Sequence, residues 1–282
     1  MGIGGIKLFS VNHNCIKCGL CATLCPAKII EMTDGDVPRV EAAREKSCIR
    51  CGQCVAFCPK SCCFLDFQPV EERIAVDANL MPSLRSAETL LRSRRSIRSY
   101  REESLPKELM QRLLETARYA PSASNSQPVR WIITNTRKET LKLGGLVADY
   151  FRGVVKAAEQ SAEGVKGRVN VLKHVVSEWD QGRDMIFRGA PQLVVAVVPK
   201  SHTFPEDGAI ALTYLELAAH AHEIGCCWAG FFTMAARNNA ALQAELGVRD
   251  DELVVGGQMI GYSRLPISKM LPPRKKVDIS WL

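Results

Sequence analysis

Runs of apolar residues in the last two thirds of the chain predict a small set of buried strands. The most apolar run, LVVAVV, lies between Pro191 and Pro199, and it is far too short to cross a membrane. Two further runs, VRWIIT from Val129 and ELVVGGQMIGY from Glu252, also predict strands. The run CCWAGFF, which starts at Cys226, predicts a strand or a turn.

Before and between these runs, apolar residues recur at helical spacing. The segment SAETLLRSRRSIRSY has this spacing and offers Ser86 as an N-cap. The segment PKELMQRLLETARYAP predicts a helix that starts at Pro106 and stops at Pro121. Further helices are predicted in the polar region 137–190, in GAIALTYLELAAHAHEIG up to Gly225, and in NNAALQAELG. Helices alternating with a few strands predict an α/β or α+β fold whose sheet is covered on both faces.

Composition divides the chain into three parts. We predict a cysteine-rich domain over residues 1–66, a proline-containing linker over 67–84 and a larger domain over 85–282. The formal net charge is +7, but residues 1–80 carry nine basic and nine acidic side chains, so the whole excess lies after residue 80. The hydrophobic content of 46% and charged content of 24% are typical of a globular protein.

Cysteine usage indicates the cellular compartment. Of the twelve cysteines, ten lie between Cys15 and Cys63, and the other two are Cys226 and Cys227. Such clustering argues for metal sites in a reducing compartment and against the disulfide framework of a secreted protein. The first residues also lack the charged and apolar segments of a signal peptide. We therefore expect a soluble, cytoplasmic protein.

Two cysteine runs repeat one another. CIKCGLCATLCP starts at Cys15 and CIRCGQCVAFCP at Cys48, a constant offset of 33 residues. Both have the C-x2-C-x2-C-x3-C-P spacing of bacterial ferredoxins, in which the fourth cysteine of each run ligates the other cluster. Residues 7 to about 65 thus resemble a ferredoxin domain with two 4Fe-4S clusters. Cluster one would take Cys15, Cys18, Cys21 and Cys58, and cluster two Cys48, Cys51, Cys54 and Cys25.

Structural zinc is the main alternative, because zinc sites also use paired C-x2-C spacing. The third cysteine and the Cys-Pro ending, both present twice, have no rationale in a zinc site, which favours iron–sulfur clusters. Four further cysteines fit no ligand position of the pattern. Packing is the favoured interpretation for Cys62, Cys63, Cys226 and Cys227.

The larger domain has neither a nicotinamide-type Rossmann fingerprint nor a P-loop, because no G-x-G-x-x-G stands between a predicted strand and helix. Five segments look like the successive motifs of the nitroreductase family over about residues 88–280: RRSIRSY, ARYAPSASNSQP, RGAPQLVVAV, EIGCCWAGFF and VGGQMIGY…PPRKK. The resemblance implies a central sheet with flanking helices and an obligate homodimer with one FMN per subunit at its interface. The fold class is thus α+β: a ferredoxin-like two-cluster iron–sulfur domain followed by a nitroreductase-like sheet-and-helix FMN domain.

The resemblance also implies roles for individual residues. Arg94, Arg95 and Ser96 would hold the ribityl chain and phosphate of FMN. Arg98 would lie near the pyrimidine edge of the flavin, where a fixed cation tunes its potential. The remaining contacts would come from Asn125 and Gln127 beside the ring or ribityl chain, Ala229 and Gly230 against the ring face, and Arg274 and Lys276 at the phosphate. The chain departs from the family at Val129, where an aromatic residue is usual, and in RKK, which lacks the more typical proline.

The arginine-rich stretch Leu91–Arg101 also raises nucleic acid and membrane surfaces as partners. Nucleic acid is disfavoured because the stretch lacks interleaved aromatic residues and the chain has no nucleic-acid-binding fold pattern. Arg92 and Arg101 are expected on a solvated helix face.

The fusion of the two domains predicts the function. Iron–sulfur clusters move single electrons, whereas a flavin accepts electrons singly and releases them as a pair. We expect electrons from reduced ferredoxin or NAD(P)H to reach a planar, electron-poor substrate on the flavin: a nitroaromatic, a quinone or an activated alkene. Two alternatives stay open: an electron carrier that delivers to a partner protein without its own small-molecule substrate, and a flavin-binding module without activity.

The region 137–190 occupies the position in the sequence at which members of the nitroreductase family have a substrate lid. Trp179, Arg183 and Phe187 are candidate lining residues, and a core or surface position is the alternative for each of the three.

Overall fold

The computed structural model describes residues 7–33, 35–160, 167–266 and 268–282. The chain forms two compact units, Met1–Met81 with Ser124–Ser126, and Pro82–Ala123 with Gln127–Leu282. The division after Met81 falls inside the predicted linker 67–84. Residues 161–166 of the predicted helical region lie outside the described part of the chain.

The first unit is built from very short elements. Its strands and α-helices are β1 Phe9–Val11, α1 Leu20–Leu24, β2 Ile30–Glu31, β3 Arg39–Val40, α2 Gln53–Ala56 and β4 Cys63–Leu65. β1 pairs antiparallel with β4, with Phe9 opposite Leu65, and β2 pairs antiparallel with β3. Because these strands have only two or three residues, the unit has a small core, in which Leu8, Phe9, Ile29, Ile30 and Leu65 pack with buried cysteines.

The second unit holds the larger sheet and the longer helices. Its helices are α3 Leu84–Ser93, α4 Lys107–Ala117, α5 Arg137–Glu159, α6 Gly167–Asp180, α7 Glu206–Ala221, α8 Gly230–Ala236 and α9 Ala240–Leu246. Its strands are β5 Arg130–Ile133, β6 Gln192–Pro199, β7 Ile224–Trp228 and β8 Glu252–Tyr262. The strand order is β5-β6-β8-β7, and every neighbouring pair is antiparallel.

Strand β6 shows how this sheet is covered. Its side chains alternate between two cores, because successive residues of a strand point to opposite faces. Leu193, Val195 and Val197 belong to the core with α5, α6, α8 and α9, whereas Val194 and Ala196 belong to the core with α4 and α7. The predicted α+β fold, with a sheet covered on both faces, is confirmed.

Two predicted helix ends differ from the structure. Helix α3 starts earlier than Ser86, because the Ser83 hydroxyl caps it by accepting a hydrogen bond from the Ser86 backbone N–H. Helix α7 ends at Ala221 and not at Gly225. The chain turns at Glu223, whose φ is 59°, and Ile224 then begins strand β7 by pairing with Tyr262.

In the described part of the chain, none of the helices combines the length and apolar composition that crossing a membrane would require.

The structure assigns positions to the candidate lid residues. Phe187 has no exposed surface and packs against Phe232, with 5.9 Å between ring centroids. Trp179 packs beside Gly144, so closely that a Cβ at residue 144 would lie 2.5 Å from the indole. Arg183 pairs with Glu178. Phe187 is therefore a core residue of the second unit.

This burial gives a stability prediction. Replacing Phe187 by alanine removes a fully buried ring, so F187A should lower the free energy of unfolding by about 3–5 kcal/mol. Phe204, which is 52% exposed, is the matched control, and F204A should change it by less than about 0.5 kcal/mol. Urea unfolding followed by circular dichroism measures both values. If F187A and F204A lost equally small amounts of unfolding free energy, the core position of Phe187 would be contradicted.

Candidate functional site

The first unit contains two cavities lined by cysteines. Cavity one is lined by Cys15, Cys18, Cys21 and Cys58, together with Cys62 and Cys63. Cavity two is lined by Cys25, Cys48, Cys51 and Cys54. Each cavity thus gathers the first three cysteines of one run and the fourth cysteine of the other run. This is the grouping that the sequence predicted for two clusters.

The backbone conformation repeats with the same offset of 33 residues as the sequence. Three pairs of residues separated by 33 positions share a left-handed conformation: Lys17 and Arg50, Gly19 and Gly52, and Lys28 and Ser61. Gly19 and Gly52, with φ of 77° and 71°, precede helices α1 and α2. A glycine adopts this conformation at little cost, so the tight turn that presents the first three thiols forms twice.

The two cavities differ in their remaining walls. Cavity two is closed by apolar side chains, among them Leu8, Ile29, Ile30 and Val40. At the positions that correspond to Ile29 and Ile30 through the offset of 33, cavity one has Cys62 and Cys63. The sequence interpretation of these two cysteines as packing residues agrees with their burial but missed their place beside predicted ligands. Aligning the two halves of the repeat beyond Pro26 and Pro59 would have revealed it.

Burial and neighbouring thiols set the acidity of these cysteines. Burial, followed by the charges of Cys51 and Cys48, raises the pKa of Cys54 to about 12. A hydrogen bond from Cys63 lowers the pKa of Cys21 to about 7 against the effect of burial. Iron binds thiolates, so loading the cavities releases protons, and acid opposes loading. The eight thiols fit the donor set of two iron–sulfur clusters, which are held by cysteine thiolates.

The second unit contains a cleft of about 320 Å³ beside the arginine-rich stretch. Arg94, Arg95 and Ser96 line it, so the structure brings these three predicted flavin residues together. The other walls come from α7, β7 and the chain after β8, through Glu216, His220, Cys226 and Leu265 among others.

Backbone contacts hold the arginine-rich stretch in place. The Ile97 N–H donates to the Cys226 carbonyl at 2.9 Å, and the Arg101 N–H donates to the Tyr262 carbonyl at 2.8 Å. The Ile97 side chain lies over Gly225, where an added Cβ would be 2.7 Å from it. Residue 225 must therefore be a glycine for the stretch to approach β7 this closely.

The polar side chains of the cleft are partly paired. Arg94 donates to Glu216 at 2.7 Å, and the Gln258 amide donates to the other Glu216 oxygen at 3.4 Å. Ser93 Oγ and His220 Nε2 are hydrogen-bonded at 2.8 Å. Burial, followed by the charge of Arg94, lowers the pKa of His220. No local pattern in the sequence indicates Glu216 or His220 as cleft residues, because both lie more than 120 residues from their partners.

The other predicted flavin residues do not line this cleft. Arg98 is exposed. Gln127 lines a separate cleft beside α4. Asn125 belongs to the segment Ser124–Ser126 of the first unit. Ala229 is fully buried, and Gly230 begins helix α8 with open space at its Cβ position. Arg274 and Lys276 are exposed. Their contacts with FMN stay a prediction.

Comparison with known proteins decides the family. Residues 91–262, more than half of the chain, match the family model described as "Nitroreductase family". The chain belongs to the nitroreductase family. Residues 14–70 match a "4Fe-4S dicluster domain", so this nitroreductase-family protein carries an N-terminal iron–sulfur domain.

Relatives with named activities share the nitroreductase part. The chain is 25% identical over 212 residues to chloronitrobenzene nitroreductase of Comamonas testosteroni, covering 65% of this chain and 89% of that protein. It is 27% identical over 234 residues to 4-nitrobenzoate reductase of a Nocardioides species, covering 73% and 93%.

Solved structures share the fold. A nitroreductase with bound FMN from Bacteroides fragilis has a TM-score of 0.53 at 21% identity and covers 69% of this chain and 97% of its own. A nitroreductase with bound FMN from Desulfitobacterium hafniense has a TM-score of 0.54 at 19% identity, with coverages of 68% and 97%. The nitroreductase-family protein is an FMN-dependent oxidoreductase with a 4Fe-4S domain.

The small core of the first unit predicts that iron stabilises it. Removal of iron by an anaerobic chelator should abolish most amide hydrogen-exchange protection in residues 7–66, because strands of two or three residues cannot bury enough apolar surface. The second unit is the internal control, and the protection of β6 and β8 should be unchanged. Protection of β1 and β4 that survived iron removal would contradict this prediction.

Proposed function

We propose that this nitroreductase-family enzyme passes single electrons through two 4Fe-4S clusters to FMN for the two-electron reduction of a planar, electron-poor substrate. The observation that carries the proposal is the pair of cysteine cavities, each with a crossed set of four thiols, on the same chain as a nitroreductase domain. A domain built for one cluster would need only one such set. When bound, the clusters supply one-electron transfer and the flavin supplies two-electron reduction.

The residues that would hold FMN supply charge and orientation. Arg94 and Arg95 bring guanidinium groups, and Ser96 a hydroxyl, to one cleft, a donor set that suits phosphate oxygens. Because Glu216 already accepts from Arg94, the orientation of that guanidinium is fixed before a ligand binds. We propose that the FMN site is complete only in the homodimer. The other proposed contacts with FMN come from Arg98, Asn125, Gln127, Ala229, Gly230, Arg274 and Lys276.

The proposed substrate class is inferred from the named activities of the relatives. The named relatives act on nitroaromatic compounds, which are flat and electron-poor. We infer nitroaromatics, quinones or activated alkenes as substrates, in the cytoplasm, with reduced ferredoxin or NAD(P)H as donor. The iron–sulfur domain favours a one-electron donor such as ferredoxin. The similarity to catalytic proteins favours an enzyme over an electron carrier without its own substrate.

Breaking one cluster site tests the electron path. Cys51 lines cavity two only, so C51A should remove a ligand there and leave the second unit intact. We expect reduction of 4-nitrobenzoate driven by reduced ferredoxin to fall at least about tenfold, whereas the NADPH-driven rate should stay within about twofold. Anaerobic steady-state assays measure both rates, and unchanged flavin content serves as the control.

Two results would contradict the proposal. Equal ferredoxin-driven rates in C51A and the wild type would exclude cluster two from the path. A wild-type protein that reduces none of the three substrate classes with either donor would instead be a carrier or a binding module.

Two arginines of the same stretch test the flavin site. Arg95 lines the cleft and is exposed, so R95A should leave the fold intact and weaken FMN binding at least about tenfold by removing one charge-assisted phosphate contact. Arg92, three residues earlier, pairs with Glu88, and R92A is the matched control with an unchanged dissociation constant. Quenching of FMN fluorescence measures both. Equal affinities for R95A and R92A would rule out the phosphate role of Arg95.

A further inference from the structure

Cavity one has more thiols than a cluster can use. A 4Fe-4S cluster takes four cysteines, and cavity two has four. Cavity one has six, because Cys62 and Cys63 join the four predicted ligands. The sulfur atoms of Cys58, Cys62 and Cys63 all lie within 4.8 Å of one another.

Cys62 lies directly beside the fourth ligand of cluster one. Its Sγ lies 3.4 Å from Cys58 Sγ, and its backbone N–H also donates to Cys58 Sγ at 3.4 Å. Two sulfurs in van der Waals contact are too close to ligate different iron corners of a cuboidal cluster, which makes them candidates for the same corner. Cys62 and Cys58 are therefore alternatives at one iron atom.

Packing alone does not account for the thiol. The position that corresponds to Cys62 in the other half of the repeat is Ile29, which is buried in the wall of cavity two. An aliphatic side chain thus fills the same place in the same local fold. The two cavities can therefore be compared with one another. Cys62 is a spare thiol beside the fourth predicted ligand of cluster one, whereas the corresponding residue beside Cys25 at cluster two is Ile29.

We propose that Cys62 is a reserve ligand of cluster one, which takes the iron atom of Cys58 when that thiolate is lost. In this exchange the Cys62 thiol would lose its proton and form the bond to iron, while the iron–sulfur bond to Cys58 would break and the released Cys58 thiolate would take up a proton. No electron is transferred. The inference rests on the two-cluster part of the proposed function.

The test compares the fourth ligand of each cluster in the full chain. Iron and acid-labile sulfide are measured after anaerobic reconstitution, together with EPR spectra of the oxidised and dithionite-reduced protein. The wild type should hold about eight iron atoms. C58A should also hold about eight, because Cys62 replaces the missing ligand, whereas C25A should hold about four, because its neighbour is Ile29.

Double variants identify the substitute. C58A/C62I introduces the residue of the other half of the repeat, and it should fall to about four iron atoms, whereas C58A/C63I should keep about eight. C62I alone should keep about eight iron atoms, which shows that isoleucine is tolerated at this position.

Several outcomes would overturn the inference. They are about four iron atoms or a three-iron EPR signal in C58A, about eight iron atoms in C58A/C62I, and loss of cluster one in C62I, which would make Cys62 a resident ligand. A wild type with fewer than about eight iron atoms would overturn the proposed function and this inference together. Eight in the wild type with four in C58A would overturn this inference alone.

Discussion

The exchange of the fourth cysteine between the two halves of the repeat is the constraint that shapes the first unit. Each cavity is complete only when Cys58 reaches the first half or Cys25 reaches the second. The halves must therefore wrap around one another, and the pairing of β1 with β4 closes this arrangement. Because the apolar core is this small, we expect metal–thiolate bonds to supply most of the stability of the unit.

The second unit is held together by the packing of apolar side chains between its sheet and its helices. Strand β6 contributes to both cores, and the flanking helices cover the sheet on both faces. On this scaffold the arginine-rich stretch is held by backbone hydrogen bonds to Cys226 and Tyr262. Together with the packing of the Ile97 side chain over Gly225, these bonds hold the segment against β7, where Arg94 and Arg95 line the cleft.

Local patterns in the sequence predicted the features that depend on local spacing. The cysteine runs are an example, because the turns at Gly19 and Gly52 present three thiols each from a few consecutive residues. Strand β6 is another, because its apolar run is buried on both faces. The family resemblance supplied the arginine cleft, since nothing in local spacing relates Arg94 to β7.

Features that depend on distant contacts were missed or misplaced. Helix α7 was predicted to end at Gly225, because a glycine commonly follows the last turn of a helix, but pairing of Ile224 with Tyr262 ends it earlier. Glu216 enters the cleft only because Arg94, over a hundred residues away, folds against it. One local feature was also misplaced: Ser83 and not Ser86 caps α3, since two serines three positions apart both fit the N-cap pattern of the sequence.

The position of the arginine-rich stretch has a consequence for self-association. Strand β7 is at the margin of the sheet, and an uncovered margin can recruit a strand from another molecule. Ser96 forms a parallel bridge with Cys226 and so occupies this margin. The segment that carries the arginines therefore also covers part of this margin, and changes that loosen it would expose a strand edge able to pair between molecules.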